Sequence, residues 1–195
     1  MKKALYTAFF SALVNACIPR YAPPPDLPSS VKQINKPEEA QQWLETVLTY
    51  KHDSELYGQS DFWAPCALTY QLRAGDCEDY AICAAALLNR DIQEGYLIYI
   101  DNPGKKDKDG KPDSGHAVFA YKMNDKWGIL SNGHSEYRLP EFSNLHAALH
   151  DALSYRYSRY IVYDYSGVDL INGNTNLESK MKQIWTDSLN NTTFK

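Results

Sequence analysis

Along "KPEEAQQWLETVLTY" the apolar residues fall at Ala40, Trp43, Leu44, Val47 and Leu48, the spacing that lays one apolar stripe along a helix. Pro37 followed by two acids is a good start signal for it. The next stretch, "KHDSELYGQSDFWAPCALTYQLRAG", has no clean period and is punctuated by Gly58, Pro65 and Gly75, which predicts a packed loop with a short helical turn. A second helix is predicted from about Asp76 to Asn89: "AICAAALL" consists of strong helix formers, and Asp76 suits the N-cap. Cys77, Tyr80, Ala81, Ala84 and Leu88 share one side of it. The pattern then turns strand-like in "GYLIYID" (95–101), "HAVFAYKM" (116–123) and "KWGILSN" (126–132). Asn124-Asp125 is a short turn that makes the last two an antiparallel hairpin. The polar "NPGKKDKDGKPDSG" between the first two strands reads as a solvated loop, "FSNLHAALHDAL" as a helix and "RYIVYDYSG" as a final strand. Helices followed by antiparallel strands argue an α+β fold.

The ends differ from this middle. "MKKALYTAFFSALVNAC" has two lysines, a short apolar run and a small residue before Cys17, the layout of an export signal, and it is too short to span a bilayer. Its Val-x-Ala-Cys ending resembles a loose bacterial lipobox with Cys17 as the lipidated residue, although Asn15 is unusual there. The Pro-rich segment that follows suits an extended spacer. The expected organisation is an export signal at 1–17, a spacer at 18–30, one domain at 31–166 and a polar C-terminal tail at 167–195. The expected location is the periplasm or, through lipidated Cys17, a membrane tether in the cell envelope; an ordinary amphipathic first helix in a cytoplasmic protein is the alternative.

Charge and cysteine content narrow the functions. A net charge of −4 spread over mixed signs, with no basic block, argues against nucleic acid as partner. The four cysteines, Cys17, Cys66, Cys77 and Cys83, include no C-x-x-C pair, which argues against structural zinc. Cys66 and Cys83 are either a disulfide in an oxidising compartment or buried free thiols.

Cysteine catalysis needs a thiolate, a histidine to take its proton and a third group to orient that histidine. Cys77 is predicted in the first helical turn, where free N–H groups favour an anion, yet Asp76, Glu78 and Asp79 beside it oppose ionisation. His116 opens a strand directly after Ser114-Gly115, placing its ring at a sheet edge.

"SDFWAPCALTYQLRAGDCEDYAICAAALL", followed by "HAVFAY" and "WGILSN", resembles the bacterial transglutaminase-like cysteine peptidases of the papain-like, transglutaminase-core group, over roughly Trp43 to Asn132. The resemblance implies a helix bearing nucleophilic Cys77 packed on an antiparallel sheet, with His116 as base on the first strand of a hairpin. It also implies a protein or peptide substrate, and release of surface proteins in Gram-negative members. No cofactor is required for the chemistry, but some members bind calcium through acids of the "DCED" segment, which makes Asp76 and Glu78 candidate calcium ligands. Transglutaminase or amidase activity, and a catalytically weakened binding module, are the alternatives.

The resemblance breaks at the third residue. Where the family has Asp on the neighbouring strand, this chain has Ser131, with Asn132 next; either could orient His116, Asn132 only with a one-residue shift of register. Asp125, in the turn, is too far away. Trp63 and Gln71, before the helix, are the oxyanion candidates. His146 and His150 have the four-residue spacing of metal ligands, but neither they nor His134 bring the Glu or third ligand of a zinc motif. "DKDGKPDSG" lacks the final Glu of a calcium-binding EF-hand loop.

Overall fold

The structure is a computed structural model that describes residues 27–189 except 30, 105, 107–114, 155 and 174–175. The segment expected to be an export signal, Cys17 and most of "DKDGKPDSG" lie outside the described residues. In chain order the elements are α1 (Pro37–Val47), β1 (Thr49–Tyr50), α2 (Asp53–Leu56), α3 (Cys66–Leu72), β2 (Ala74–Gly75), α4 (Cys77–Leu88), β3 (Glu94–Asp101), β4 (His116–Met123), β5 (Lys126–Leu130), β6 (Arg138–Phe142), α5 (Leu145–Leu153), β7 (Arg159–Asp164) and β8 (Lys182–Ser188).

Six strands form one antiparallel sheet in the order β6-β5-β4-β3-β7-β8. Side chains alternate across its faces. Ala117, Phe119 and Tyr121 of β4 join the core beneath α1 and α4, while Val118 and Ala120 join the opposite core with Ala148, Leu149, Ala152 and Leu153 of α5. The sheet is thus covered on both sides, which is why "HAVFAY" reads as a continuous apolar run. Asn124 and Asp125 both adopt left-handed backbone, with φ of 51° and 59°, as a tight two-residue hairpin requires.

Helix α4 is the centre of the helical layer, packed against β4, β3, α1 and α3. Every residue of it except Ala86 is buried, including Glu78 and Asp79, so its apolar surface runs all the way round. A disulfide between Cys66 and Cys83, with Cα atoms 4.7 Å apart, joins α3 to α4 and settles the open cysteine alternative. Closing this loop stabilises the fold by about 3 kcal/mol in the chain-entropy account.

Of the tail expected at 167–195, the described residues, 167–173 and 176–189, are part of the fold. β8 pairs with β7 as the sixth strand, and Leu170, Leu177 and Leu189 are buried in the two cores. As an edge strand β8 leaves Lys182, Gln183, Ile184 and Thr186 exposed, and so carries a polar composition. At the other end Leu27 packs into the α4 core, four residues before the expected start at Val31.

Candidate active site

Asp76 is the N-cap of α4 and Cys77 its first residue, so the thiol sits where a helix leaves N–H groups unpaired. The side chain is buried, and its sulfur donates to Glu78 Oε2 at 3.0 Å. The N–H of Ala117, the residue after His116, favours the ionised sulfur. Gly115, the residue before His116, lines a cleft of about 490 Å³ together with Cys77, Asp76, Glu78, Trp63 and Tyr99. The contact of α4 with β4 therefore brings Cys77 to the start of the strand that His116 opens.

On the other side of His116, Nε2 lies 2.7 Å from Glu136 Oε2 and 3.0 Å from Ser131 Oγ. The Ser131 hydroxyl donates to Glu136 Oε2 at 2.8 Å and accepts from the Gly133 N–H at 3.0 Å. With the carboxylate as the shared acceptor, the network assigns the ring proton to Nε2 and leaves the lone pair on Nδ1. Tyr157 stacks on the imidazole at 5.9 Å with planes 11° apart, and Arg156 Nη1 stands 3.6 Å from the second oxygen of Glu136. Burial alone would raise the Glu136 carboxyl, but the hydrogen bond and charge of His116, with Ser131 and Arg156, outweigh it and hold the group below its ordinary value. A buried carboxylate, an oriented imidazole and a thiol at a helix start are the parts of a proton-shuttling nucleophile.

The sequence profile of the transglutaminase-like domain matches residues 26–163, well over half of the chain. The chain belongs to the transglutaminase-like family. Its mixed helix and antiparallel sheet agree with that assignment, and the family falls in the papain-like superfamily, whose transglutaminase-like members are often cysteine peptidases or transferases. No curated protein sequence matches the chain.

Within this transglutaminase-like site the expected orienting pair is half corrected. Ser131 does reach His116, but Asn132 does not, and its Oδ1 is buried without a hydrogen-bond partner. The carboxylate comes from Glu136, which counting along the strand misses. β5 ends at Leu130, and a 3-10 turn over His134–Glu136 returns the chain toward His116. Gly133 permits that return: a Cβ there would lie 2.5 Å from Glu136 Oε2. The signal was present as Asn132-Gly133, which interrupts a strand, followed three residues later by an acid.

The acids around the thiol also differ from expectation. Asp76 makes no side-chain cap. Asp79 is fully buried and accepts from the Ala64 N–H at 2.9 Å and the Tyr57 hydroxyl at 3.1 Å, tying α4 to the preceding loop. A Cβ at Gly75 would collide with that Asp79 side chain. Asp53, at the start of α2, and Asp61 join the cluster: carboxylate oxygens of Asp53, Asp61 and Glu78 lie within 4.8 Å of one another, as do those of Asp53, Asp76 and Asp79. Asp53 Oδ1 and Asp76 Oδ1 are buried without a hydrogen-bond partner. Burial, then the Asp76 charge, pushes Asp53 up to about 6 and Glu78 up to about 10. Burial, then the Glu78 charge, raises the Cys77 thiol well above its ordinary value. A set of hard oxygens with orphaned lone pairs fits a divalent cation such as calcium.

The remaining expectations separate. Trp63 is buried and lines the cleft with Cys77, its ring edge-on to Tyr163 at 5.4 Å. Gln71 is exposed on the last turn of α3 and is not among the cleft-lining residues, so its oxyanion role has no geometry behind it. The ring of His134 is exposed and bonds Glu45 through Nδ1 at 3.2 Å. His146 and His150 have ring centroids 6.2 Å apart, and His146 Nδ1 meets the Tyr160 hydroxyl at 3.1 Å.

Proposed function

We propose that this transglutaminase-like protein is a thiol hydrolase that cleaves a peptide bond of an envelope or surface protein. The observation that carries the reading is the Glu136–His116 pair, held with Ser131 beside the helix start that bears Cys77. His116 Nδ1 takes the Cys77 proton as the sulfur attacks the scissile carbonyl. The imidazolium, facing the Glu136 carboxylate, then gives that proton to the leaving amine. A thioester on Cys77 remains; water, deprotonated by the same nitrogen, attacks it, and collapse releases the acid and the free thiol. The uncapped first N–H groups of α4 supply donors for the oxyanion.

Asp53, Asp61, Asp76 and Glu78 would hold calcium, which supplies positive charge to offset the carboxylates around the sulfur. Without such an offset the thiol rests on Glu78 and its ionisation is opposed.

Cys77 is the free cysteine among the described residues, and peptide mapping reads its alkylation separately from that of Cys17. With calcium present, iodoacetamide is expected to modify Cys77 at neutral pH at least about tenfold faster in the native protein than in the His116→Ala variant. Equal rates would leave a binding module with the same cleft and no base. For location we propose export with lipidation at Cys17, in keeping with the disulfide. Cell fractionation is expected to find the protein in the envelope with residues 1–16 removed; an intact cytosolic chain would overturn this part.

A further inference from the structure

We propose that Gln41 is a positioning residue: its buried side-chain amide takes the place of a missing strand partner and holds Ser131, and with it the His116–Glu136 pair, in register. This rests on the thiol-hydrolase reading above.

Gln41 lies in the middle of α1 among apolar neighbours, Ala40 and Leu44, and is 4% exposed. Burying an amide is costly unless its donors and acceptor are all used. Here they are. Nε2 donates to the Ser131 carbonyl at 2.7 Å and to Glu45 Oε1 at 2.8 Å, and Oε1 accepts from the Ser131 N–H at 3.4 Å. Reversing the amide would set oxygen against the Ser131 carbonyl, so the network assigns its orientation.

Ser131 needs this partner because of where the sheet stops. The β4–β5 ladder ends at Phe119 opposite Leu130, and β5 meets β6 last at Ile129 opposite Arg138. Ser131 is the first residue beyond both ladders, yet it is 5% exposed, where unpaired backbone groups are penalised. A side-chain amide carries the same donor and acceptor as a peptide group and replaces the absent strand. The bonded residue is the one whose hydroxyl touches both His116 Nε2 and Glu136 Oε2. The same helix reaches the start of the 3-10 turn as well, through Glu45 to His134 Nδ1. Gln41 bonds Ser131 and Glu45, and it acts on the His116–Glu136 pair through Ser131.

The test compares Gln41→Met, which keeps length and loses every hydrogen bond, with Leu44→Ala, a cavity variant one turn along the same helix face. Two readouts are taken on the calcium-loaded full chain: the pH profile of Cys77 alkylation by iodoacetamide, and the His116 tautomer by 15N NMR. Gln41→Met is expected to slow alkylation at neutral pH about tenfold and to mix the Nε2-protonated tautomer with the other, as a displaced orienting group does. Leu44→Ala is expected to lower the melting temperature and leave both readouts unchanged. Should Gln41→Met not fold, Gln41→Glu takes its place: it keeps an acceptor for the Ser131 N–H and sets an oxygen against the Ser131 carbonyl, with the same expected direction. Wild-type rate and tautomer in the Gln41 variant, with slowing in Glu136→Gln, overturn this inference and leave the hydrolase reading standing. Equal slowing by Leu44→Ala also overturns it, since general loosening would then suffice. No slowing by either Glu136→Gln or His116→Ala removes the hydrolase reading and this inference together.

Discussion

Replacing Glu136 by glutamine is expected to lower acylation of Cys77 by a peptide substrate by about 10²- to 10⁴-fold while the protein stays folded. The size follows from the tautomer. In the native protein the carboxylate accepts the Nε2 proton and leaves Nδ1 basic. A glutamine at the same place has one oxygen and one NH₂, and Arg156 decides how they face: its Nη1 is 3.6 Å from Oε1 and needs an oxygen there. The NH₂ then points at Nε2 and donates to it, which moves the ring proton to Nδ1, where the base is required. Burst kinetics with an activated peptide ester separate the acylation step from binding, and 15N shifts of His116 report the tautomer directly. Glu136→Asp, one methylene shorter, is expected to keep the tautomer and lose less rate. Unchanged acylation in Glu136→Gln would remove Glu136 from the mechanism.

Where burial matched local pattern, the chain could be read directly. β4 runs over the predicted His116–Met123 because a strand covered on both faces needs an unbroken apolar run, and α4 lies within the predicted 76–89 because its alanines suit both a helix and tight packing. Cys77 and His116 followed from those two elements. Glu136 did not, since its place depends on β5 stopping at Leu130 and on a turn folding back, which no periodicity announces. Gln41 was hidden for a related reason: in a helix that reads as an ordinary amphipathic one, nothing local distinguishes a buried glutamine from a solvated neighbour. Asp53 and Asp61 reach the DCED acids across a loop without period, and β8 is an edge strand whose exposed side chains look like a tail. Two of the missed features, the Glu136 turn and the Asp53–Asp61 loop, are created by chain reversals; the first reaches His116 and the second the acids beside Cys77.

Metal-free protein is expected to lose stability as pH rises from about 5 to about 8, the reverse of the usual rise from acid toward neutrality. Asp53 is lifted from an ordinary 3.8 to about 6 and Glu78 from 4.5 to about 10, in both by burial first and by the Asp76 charge second. The folded state therefore holds these protons more tightly than the unfolded chain, and raising the pH favours unfolding. Their contribution is whole below the unfolded values and is lost as pH climbs toward the folded ones, from about 4 to 6 for Asp53 and onward for Glu78. Glu136 and Glu45 are shifted the other way; what they contribute is complete above their ordinary 4.5 and does not offset the loss in this window. At about 1.4 kcal/mol for each tenfold change in proton affinity, the part of the Asp53 loss that falls between pH 5 and 6 is about 1 kcal/mol, a fall of about 3 °C in melting temperature for a chain of this size, and Glu78 adds to it as the pH rises further. Calcium at millimolar concentration should return most of that at pH 8, because a cation binds the ionised carboxylates and favours the same folded state. Glu78→Gln removes the carboxyl whose proton the folded state holds most tightly and is expected to flatten the pH dependence. A melting temperature that holds or rises between pH 5 and 8 without metal would show that these carboxylates are paid for by some neighbour already in place, and that the thiol has no need of a cation.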